Sequence, residues 1–502
     1  MGSQLFRIKN IDQLLADSEN PEKRLKKTLG WISLTALGIG AIIGTGIFVL
    51  TGTAAAGEEV QYPSLLKAPV LDVLFHGAHA TGISGRPGAG PAIALSFFLV
   101  AIVCGFAGLC YAELASMIPI AGSAYTYTYA TLGELVAWII GWDLILEYAV
   151  SNMAVAVGFS AYIDSLLRSF GIHLPVSLSQ PAYSPATGWA LHFNLVGFLI
   201  VMCLTAVLVR GIRESAGANS IMVGIKLVAI FVFIIFASKY IHPTNWHPFM
   251  PNGWQGVLTG GAIVFFTYIG FDSVSTAAEE CKNPKRDLPL GIMASLLVCA
   301  ALYVGVAIVL TGIQPYSIFK GDAAPVATAL HNIGLDHLQQ WVTMGALMGM
   351  ISSLLVYQLG QARVWFAMSR DGLLPASFSK VHPRFRTPHV ATWVAGVFVG
   401  IPAGIFDIGT LADLSNIGTL FAFVLVAIAV PILRKTQPDR QRGFRVPFVP
   451  LVPILAVVCC LVLMASLTLE NWIRFFVWLA IGLVIYFTYS RKRSTLNASA
   501  GD

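Results

Sequence analysis

The sequence predicts an all-α polytopic membrane protein with twelve transmembrane helices. Of its 502 residues 56% are hydrophobic and 11% are charged, and the mean hydropathy is +0.74. Soluble proteins carry about 25% charged residues, and a chain this apolar has more apolar surface than one soluble core of its length could hide from water. The composition excludes a soluble enzyme, a coiled coil and a disordered scaffold, so the surplus apolar surface is expected to face lipid.

Apolar segments long enough to cross about 30 Å of hydrocarbon, at about 1.5 Å per helical residue, recur along the chain. They lie at 33–54, 91–118, 133–160, 190–209, 219–239, 256–278, 290–312, 338–369, 388–405, 411–433, 449–468 and 472–490. Between the first two, the insertion 57–90 ends in a run rich in glycine and proline. That run predicts a short surface helix or an ordered cap over the external side of the helices. The alternative is a loop that is tolerated but has no role.

The distribution of Lys and Arg predicts the orientation. With the N-terminus inside, the inside segments carry 23 of these residues and the outside segments carry 6, and such an excess marks the cytoplasmic side. Both termini are therefore expected in the cytoplasm of a multi-pass protein of the cell (inner) membrane. The first 30 residues are polar and basic, so no cleavable signal peptide is expected. The net charge of +6 fits cytoplasmic loops, and no nucleic-acid partner is expected.

Two segments carry glycine clusters near their middle. The first has Gly38, Gly40, Gly44 and Gly46, and the sixth runs from two adjacent glycines to Gly270. Small residues can simply let helices pack closely. However, segments one and six occupy corresponding places in two consecutive sets of five, as in an inverted repeat whose binding site is formed by discontinuous helices.

This reading predicts a cytoplasmic segment over 1–30 and a first repeat over 31–240 that includes the insertion 57–90. A second repeat follows over 241–435, then two further helices over 436–490 and a cytoplasmic tail over 491–502. A broken helix offers free N–H groups to an anion and free carbonyls to a cation. The two breaks could together bind the carboxylate and the ammonium of an amino acid.

Four stretches resemble the amino acid, polyamine and organocation (APC) transporter superfamily. They are residues 38–46 (GIGAIIGTG), 107–122 (AGLCYAELASMIPIAG), 265–289 (FFTYIGFDSVSTAAEECKNPKRDLP) and 367–375 (AMSRDGLLP). Within the superfamily they are most similar to the cationic amino acid transporter family and its bacterial relatives. The resemblance covers about residues 25 to 490 and departs from such relatives at the insertion 57–90.

The resemblance implies a five-plus-five inverted-repeat fold with two additional C-terminal helices. It also implies roles for individual residues of the two breaks. The substrate carboxylate would be held at the first break, by Ile42, Gly44, Thr45 and Gly46. The ammonium would be held at the sixth-helix break by the carbonyls of Phe266, Thr267 and Ile269, and Phe271 would serve as a gate.

Lys226 lies about seven residues into the fifth segment. A charge at that depth costs on the order of 2.5 to 3.5 kcal/mol unless it is paired or hydrated, so it is a functional candidate. The alternative is a lysine whose long stem reaches back to the cytoplasmic face. In proton-coupled relatives a matching lysine occupies the place where sodium sits in sodium-coupled members. An ammonium there would exclude sodium, and burial makes proton loss during the cycle feasible.

The third segment carries two carboxylates on one face, Asp143 and Glu147. Two such groups in a low dielectric should not both be ionised and unpaired, so one is expected to pair with Lys226 or to stay protonated. Glu147 is the preferred proton-coupling candidate, with a local hydrogen bond between helices as the alternative. Asp272, beside the expected gate, is a third candidate, whereas Glu113 is interpreted as structural.

The predicted function is secondary active uptake of L-amino acids with protons by alternating access. Helix eight offers Ser352, Ser353, Val356 and Tyr357 but no carboxylate, so small neutral substrates such as alanine compete with cationic ones such as arginine and lysine. A proton-independent amino acid or polyamine exchanger is the mechanistic alternative. A channel and a transmembrane enzyme or receptor are disfavoured, since neither a continuous polar pore nor a catalytic set is evident. We expect that the protein requires no ATP, no cofactor and no metal ion.

Overall fold

The computed structural model of the chain describes residues 5–12, 15, 27, 29–60, 62–120, 122–184, 188–210, 215–385 and 387–495. Most of the predicted cytoplasmic segment 1–30, the end of the predicted tail 491–502 and the basic residue Arg213 lie outside the described residues.

The described chain consists mainly of α-helices. In the first half they are α1 (Trp31–Ile42), α2 (Thr51–Ala56), α3 (Val70–His76), α4 (Ile93–Met117), α5 (Ser123–Tyr129), α6 (Glu134–Ser169), α7 (Val176–Ser179), α8 (Leu195–Arg210) and α9 (Ser215–Ala237). In the second half they are α10 (Gly253–Val264), α11 (Ser273–Thr276), α12 (Pro284–Ile313), α13 (Pro325–Asn332), α14 (Asp336–Arg370), α15 (His389–Ile405), α16 (Ile408–Thr436), α17 (Leu451–Ala465), α18 (Leu469–Ile485) and α19 (Arg491–Arg493). Strands β1 (Tyr183–Ser184) and β2 (Gly188–Trp189) form a small antiparallel sheet.

Within the described residues, eight helical spans are long and apolar enough to cross a membrane, and the bent unit of α1 and α2 makes a ninth. Three further apolar helices, α8, α15 and α17, are shorter, with 16, 17 and 15 residues. Each of the twelve predicted segments overlaps one of these units. A polytopic helical membrane protein is thus confirmed, whereas the twelve-span layout and its repeats stay predictions.

Two helices extend well beyond their predicted ends. Helix α6 reaches Ser169 rather than residue 160, and α12 begins at Pro284 rather than residue 290. In the α6 extension, Asp164 and Arg168 lie one helical turn apart and form an ion pair, with 2.9 Å between Asp164 Oδ2 and Arg168 Nη2. Proline is favourable at the first position of α12. Hydropathy could not find either extension because both are polar turns outside the apolar stretch.

Helix α6 lies at the centre of the molecule. Its most apolar stretch is 94% buried, compared with 33% for the span containing α9 and 22% for the span containing α18. Helix α6 packs against α14 and α16, α4 packs against α12, and α8 packs against α15. Peripheral helices carry exposed apolar side chains such as Ile235, Phe236 and Phe476. Helices such as α9 and α18 therefore present the surface expected to face lipid.

The described ends of the chain meet at one face of the molecule, which we call the terminal face. The Lys9 ammonium contacts Asp371 Oδ1 at 3.0 Å, and the Thr495 backbone N–H donates to the Asp371 carbonyl at 3.2 Å. Helix α6 begins at this face, because Glu134 accepts a hydrogen bond from the Ser494 hydroxyl at 2.5 Å. Both described ends therefore lie on the same side.

The opposite end of α6 opens into a cavity of about 1170 Å³, which we call the vestibule. The insertion 57–90 lines part of it through Glu58 and Arg86, and α16 contributes Asp413. The insertion contains α3, as expected of a short surface helix, and pairs with the start of α18 through Lys67 and Glu470 at 2.5 Å. The insertion is therefore an ordered wall of the vestibule.

Candidate functional site

The first spanning unit is broken near its middle. Helix α1 ends at Ile42, Ile43 has ψ 86°, and a π-helical segment follows over Gly46–Leu50. The axis bends by 43° at this point. Glycine is the residue least committed to a helix interior, so the cluster Gly38 to Gly46 explains why the break occurs here. The predicted interruption of the first helix is present.

The sixth unit is interrupted as well. Helix α10 ends at Val264, a 3-10 turn covers Phe265–Tyr268, and Ile269 has an extended ψ of 134°. Gly270 follows with φ +123°, which L side chains rarely adopt. The chain becomes helical again at α11. The glycine is required at this position because the chain must turn through a conformation that disfavours other residues.

The two breaks touch each other. A Cβ atom placed on Gly46 would lie 2.8 Å from the Thr267 Cα, and one placed on Gly270 would lie 2.9 Å from the Ala41 carbonyl carbon. Tyr303 of α12 joins the two breaks, since its hydroxyl lies 2.9 Å from the Ile42 carbonyl oxygen and 2.8 Å from the Thr267 carbonyl oxygen. The two interruptions therefore form one site.

The structure brings all the predicted binding residues to this site and buries them. The set comprises Ile42, Gly44, Thr45, Gly46, Phe266, Thr267 and Ile269. Not all of the carbonyls are free, however. The Phe266 carbonyl accepts the Ile269 N–H at 3.3 Å, and the Tyr357 hydroxyl donates to the Ile269 carbonyl at 2.9 Å. The site is closed, with tyrosine hydroxyls within hydrogen-bond distance of three of its carbonyls.

Lys226 lies against the first break. Its ammonium donates to the carbonyls of Gly40 at 2.8 Å and Ile43 at 2.7 Å, and the side chain is completely buried. The Ser353 hydroxyl lies 2.9 Å and 3.2 Å from the same two oxygens. The lysine stem passes over Gly349, where a Cβ atom would lie 3.0 Å from it. Lys226 therefore fills the space between α9, α14 and the break instead of reaching the surface.

Of the two alternatives for the acidic pair, pairing with Lys226 or a protonated carboxyl, the structure does not show the first. Lys226 has no carboxylate partner among the described residues, and its ammonium instead donates to two carbonyls at the helix break. Glu147 is 2% exposed, and neither of its oxygens has a hydrogen-bond partner within the described chain. The remaining expectation for Glu147, a protonated carboxyl, stays a prediction.

Asp272 lies close to Glu147, directly after the second break. The two carboxyl groups interact electrostatically, and so do those of Glu147 and Asp143. The Tyr148 hydroxyl donates to Asp272 Oδ2 at 3.4 Å. The structure thus gathers the predicted acidic residues on one side of the breaks and places Lys226 on another.

The predicted gate, Phe271, is fully buried. Its ring centroid lies 5.8 Å from that of Tyr111 and 4.9 Å from that of Phe423. These rings come from α4 and α16, so the three aromatic side chains close the space next to the second break. The arrangement suits a gate, and the gating role stays a prediction.

Backbone hydrogen bonds and ion pairs close the molecule at the terminal face. The Leu29 N–H donates to the Glu280 carbonyl at 3.0 Å, and Arg363 contacts the Glu280 carboxylate at 3.1 Å. Glu113, interpreted as structural, contacts Arg434 at 2.6 Å and Arg442 at 3.2 Å. With the vestibule open at the other face, the structure is closed towards the terminal face.

Sequence reasoning missed Tyr303 and Tyr148 and did not foresee the bond made by Tyr357. A tyrosine in an apolar span is an isolated hydroxyl that needs a partner when buried. That indication was available, but the acceptor reached by each hydroxyl, a backbone carbonyl or the Asp272 carboxylate, depends on the packing of α6, α12 and α14 against the breaks. Within the described residues no group of three or more His, Cys, Asp or Glu could hold a metal ion.

Comparison with known proteins gives a consistent family. The family model described as "Amino acid permease" matches residues 29–487. The branched-chain amino acid permease BcaP of Bacillus subtilis is 49% identical over 99% of this chain and 100% of its own length. The methylthioribose transporter of the same organism is 45% identical with the same coverage. The vacuolar cationic amino acid transporter 4 of Arabidopsis thaliana is 36% identical over 87% of this chain and 68% of its own length.

These matches cover nearly the whole chain, and the relatives are named as transporters. The resemblance found in the glycine-rich break of the first helix and in the three other stretches is therefore confirmed. The chain belongs to the amino acid permease family of the amino acid, polyamine and organocation superfamily.

Proposed function

We propose that the protein takes up L-amino acids together with protons by alternating access. The observation that carries the proposal is the contact between two helix breaks inside the membrane domain, with the buried Lys226 ammonium on the carbonyls of the first break. Broken helices at a shared interface are the usual construction of a secondary transporter site.

The proposed architecture has twelve spans in a five-plus-five inverted repeat. Helix pairing supports it, because each helix contact recurs when both helices are replaced by their counterparts in the other repeat. Corresponding helices pair directly, α4 with α12, α6 with α14 and α8 with α15. The contact of α6 with α16 has its counterpart in α14 with α9, and that of α1 with α12 has its counterpart in α10 with α4.

We infer that the terminal face is cytoplasmic, because the excess of Lys and Arg lies in the connections on that side. The vestibule then faces the outside of the cell membrane. Uptake would begin from the vestibule, pass through the buried site and end when the contacts of Leu29 and Arg363 with Glu280 open.

The substrate carboxylate is proposed to bind the N–H groups at Gly44 to Gly46, and the ammonium to bind the second-break carbonyls. An ammonium has three donors and a backbone carbonyl has two lone pairs, so the ammonium can replace the Tyr357 hydroxyl on the Ile269 carbonyl and share the Thr267 carbonyl with Tyr303. These contacts are made by the main chain and bind the carboxylate and the ammonium, which all amino acids share.

The side-chain preference is a choice between neutral and cationic amino acids. The relative BcaP is named as a branched-chain amino acid permease, and that name favours leucine, isoleucine and valine beside alanine. Arginine and lysine find support in the cationic amino acid transporters and in the Glu147 and Asp272 carboxyls near the second break. A thermal-shift panel over the twenty amino acids separates the classes, and stabilisation by arginine and lysine alone would contradict the neutral one.

Proton coupling is assigned to Lys226, Glu147 and Asp272, and gating to Phe271. A buried ammonium held by two carbonyls stabilises the broken form of the first helix while it is charged. Loss of its proton would weaken both hydrogen bonds, since charge-assisted bonds are the stronger kind. Protonation and the shape of the site are thereby linked.

The test is uptake into proteoliposomes with an imposed pH gradient. We expect alanine, leucine or arginine to accumulate against its gradient only when the outside is more acidic than the lumen, and we expect the lumen to acidify as it does. Accumulation driven solely by a counter-substrate inside the vesicles, with no dependence on the pH gradient, would support the exchanger instead.

A further inference from the structure

A group of buried polar atoms lies on the terminal-face side of the second break without hydrogen bonds of normal distance and angle to the described residues. The group consists of both carboxyl oxygens of Asp143, both of Glu147, Asp272 Oδ1, the Tyr127 hydroxyl and the Ser123 hydroxyl. The nearest polar side chains are Thr419 for Glu147, Ser275 for Tyr127 and Tyr111 for Ser123. Each of the five side chains belongs to a residue that is at most 2% exposed. We call this set the acidic file.

The members of the acidic file are neighbours. Glu147 interacts electrostatically with both Asp143 and Asp272. Tyr127 interacts with Asp272, and its ring centroid lies 6.3 Å from that of Tyr111. The Tyr111 hydroxyl is in turn close to Ser123. The polar atoms therefore form a continuous series from α6, past α11, to the start of α5.

The surroundings of the file hold no positive charge within the described part of the chain. The other titratable groups that face it are phenols: Tyr111 from α4, Tyr148 from α6 and Tyr357 from α14. Helix α16 presents Thr419 to Glu147 and Gly418 to Asp143, where a Cβ atom would lie 2.5 Å from Asp143 Oδ1. Lys226 binds the first break and is not available to the file.

Such a group of atoms needs a partner. Buried polar atoms in proteins are hydrogen-bonded to protein or to ordered water almost without exception, and a buried ionised carboxylate without a counter-charge is too costly to persist. Water bridging these atoms, with protons on the carboxyls, satisfies both conditions. A bound metal ion does not account for the file, since the described residues contain no group of ligands that could hold one.

The file ends near the terminal face. Helix α5 directly follows the end of α4 at that face, and Ser123 is its first residue. Ser123 has φ +52°, a conformation that costs energy for any residue with a side chain, and Gly122 beside it is partly exposed. Strained backbone of this kind persists where the surrounding structure requires it. With this backbone conformation the Ser123 hydroxyl is buried, at the end of the file.

We propose that the acidic file is a hydrated proton-release route from the transport site to the terminal face. Asp143 and Tyr127 belong to it as functional residues beside Glu147 and Asp272. A proton leaves the Asp272 or Glu147 carboxyl for a bridging water. The excess proton then passes to the water at Ser123 through Asp143 or Tyr127, each of which accepts a proton on oxygen as it gives up its own proton to the next water. The amino acid leaves through the opening at Leu29 and Glu280, so proton and substrate exit by different paths. This inference rests on the proposed proton coupling.

The experiment compares three variants with the wild type in proteoliposomes that contain a pH-sensitive dye, with alanine, leucine and arginine as probes. Asp143→Asn removes a proton acceptor at nearly constant size, and Tyr127→Phe removes only the hydroxyl and keeps the ring. Asp164→Asn is the control, because it makes the same change on the same helix at the vestibule, where Asp164 pairs with Arg168.

We expect Asp143→Asn and Tyr127→Phe each to slow lumen acidification and pH-driven accumulation by about tenfold. Exchange of labelled for unlabelled amino acid at equal pH should stay within about twofold of the wild type, because exchange needs no net proton release. Asp164→Asn should match the wild type in both assays. Retained exchange also demonstrates that a variant is folded.

Three results would overturn the inference, and they are distinguishable. If the wild type acidifies the lumen and both variants do so at the wild-type rate, the route is wrong while the symport stands. If the wild type accumulates the amino acid without any proton movement, the proposed symport fails and the route fails with it. If exchange falls as much as acidification in both variants, their role is structural and the route is refuted.

Discussion

Single hydrogen-bond donors decide whether each helix break is open or closed. Lys226 and Ser353 hold the carbonyls of the first break, whereas Tyr303 and Tyr357 hold those of the second. A carbonyl freed from its helix must find a donor at membrane depth. The identity of that donor therefore sets whether a substrate ammonium can replace it.

Replacing Lys226 with alanine is expected to abolish pH-driven accumulation while leaving exchange measurable. The variant loses the ammonium that links protonation to the shape of the first break, but Ser353 still bonds the Gly40 and Ile43 carbonyls. Uptake in proteoliposomes with and without a pH gradient measures both activities. Lys239→Ala, on the exposed turn that follows α9, is the matched control and should behave as the wild type. Undiminished uphill uptake by Lys226→Ala would remove this residue from the mechanism.

Replacing Tyr303 with phenylalanine should weaken substrate binding rather than unfold the protein. The ring still packs against Phe97 and Tyr268, but the bridge between the Ile42 and Thr267 carbonyls is lost. One buried hydrogen bond contributes on the order of 1 kcal/mol, or roughly fivefold in affinity. Measurement of KM and kcat for uptake tests this, with Tyr240→Phe on the surface as the control. An unchanged KM would exclude the bridge from the binding site.

The sequence allowed some of these residues to be predicted and not others, for a physical reason. Lys226 was found because a charge inside an apolar stretch costs free energy and therefore indicates a function. Tyr303 was not found because the role of its hydroxyl follows from the carbonyls that it contacts, and only the folded structure shows which carbonyls these are. The sequence left open whether a carboxylate pairs with Lys226 or stays protonated, because it does not reveal that two carbonyls of the first break lie within hydrogen-bond distance of the same ammonium.

At the scale of secondary structure, the contact between the two breaks depends on glycine. Gly46 faces Thr267 so closely that an added methyl group would lie 2.8 Å from the Thr267 Cα. Backbone cannot move aside as a flexible side chain can. The two breaks are therefore held at a separation that only glycine permits.

Gly46→Ala is accordingly expected to weaken binding of every amino acid to a similar extent. The methyl group forces the first break away from the second, and the main chain of the two breaks reads the group common to all substrates. A fall in affinity of about tenfold or more is expected, as overpacking in a rigid region costs about 1 to 3 kcal/mol. Gly105→Ala, in the middle of α4 with nothing within 4 Å of the new methyl, is the control. Thermal shift with alanine, leucine and arginine measures the effect, and selective loss of one amino acid would contradict it.

The helices themselves were largely predictable, since lipid demands long apolar stretches and glycine clusters mark their interruptions. The sequence could locate both breaks because each cluster lies mid-span. It could not predict the extended ends of α6 and α12, which are polar, or the tyrosine hydroxyls that close the second break. Those features arise from contacts between helices distant in sequence.

At the scale of the whole molecule, one buried arginine joins the insertion to two spanning units. Arg86 contacts Glu58 at 2.5 Å and Asp413 of α16 at 2.7 Å, and the Asn471 side chain of α18 donates to Asp413 at 3.0 Å. Burial raises the pKa of Glu58, although the charge of Arg86 acts in the opposite direction. We call Glu58, Arg86 and Asp413 the vestibule clasp.

Replacing Arg86 with glutamine should destabilise the protein by an amount that depends on pH. The variant leaves Glu58 and Asp413 without their counter-charge, which is expected to cost on the order of 2 kcal/mol and to lower Tm by a few degrees. Without Arg86 the pKa of Glu58 rises further, so the folded variant takes up a proton there as the pH falls and part of the lost stability returns. The Tm deficit relative to the wild type, measured by thermal unfolding in detergent, should therefore be larger at about pH 8 than at about pH 5. Arg168→Gln, which breaks the Asp164 pair in the same vestibule but with a side chain 54% exposed, should show little deficit at either pH. Equal deficits for Arg86→Gln at both pH values would mean that the clasp does not depend on the charge of Glu58.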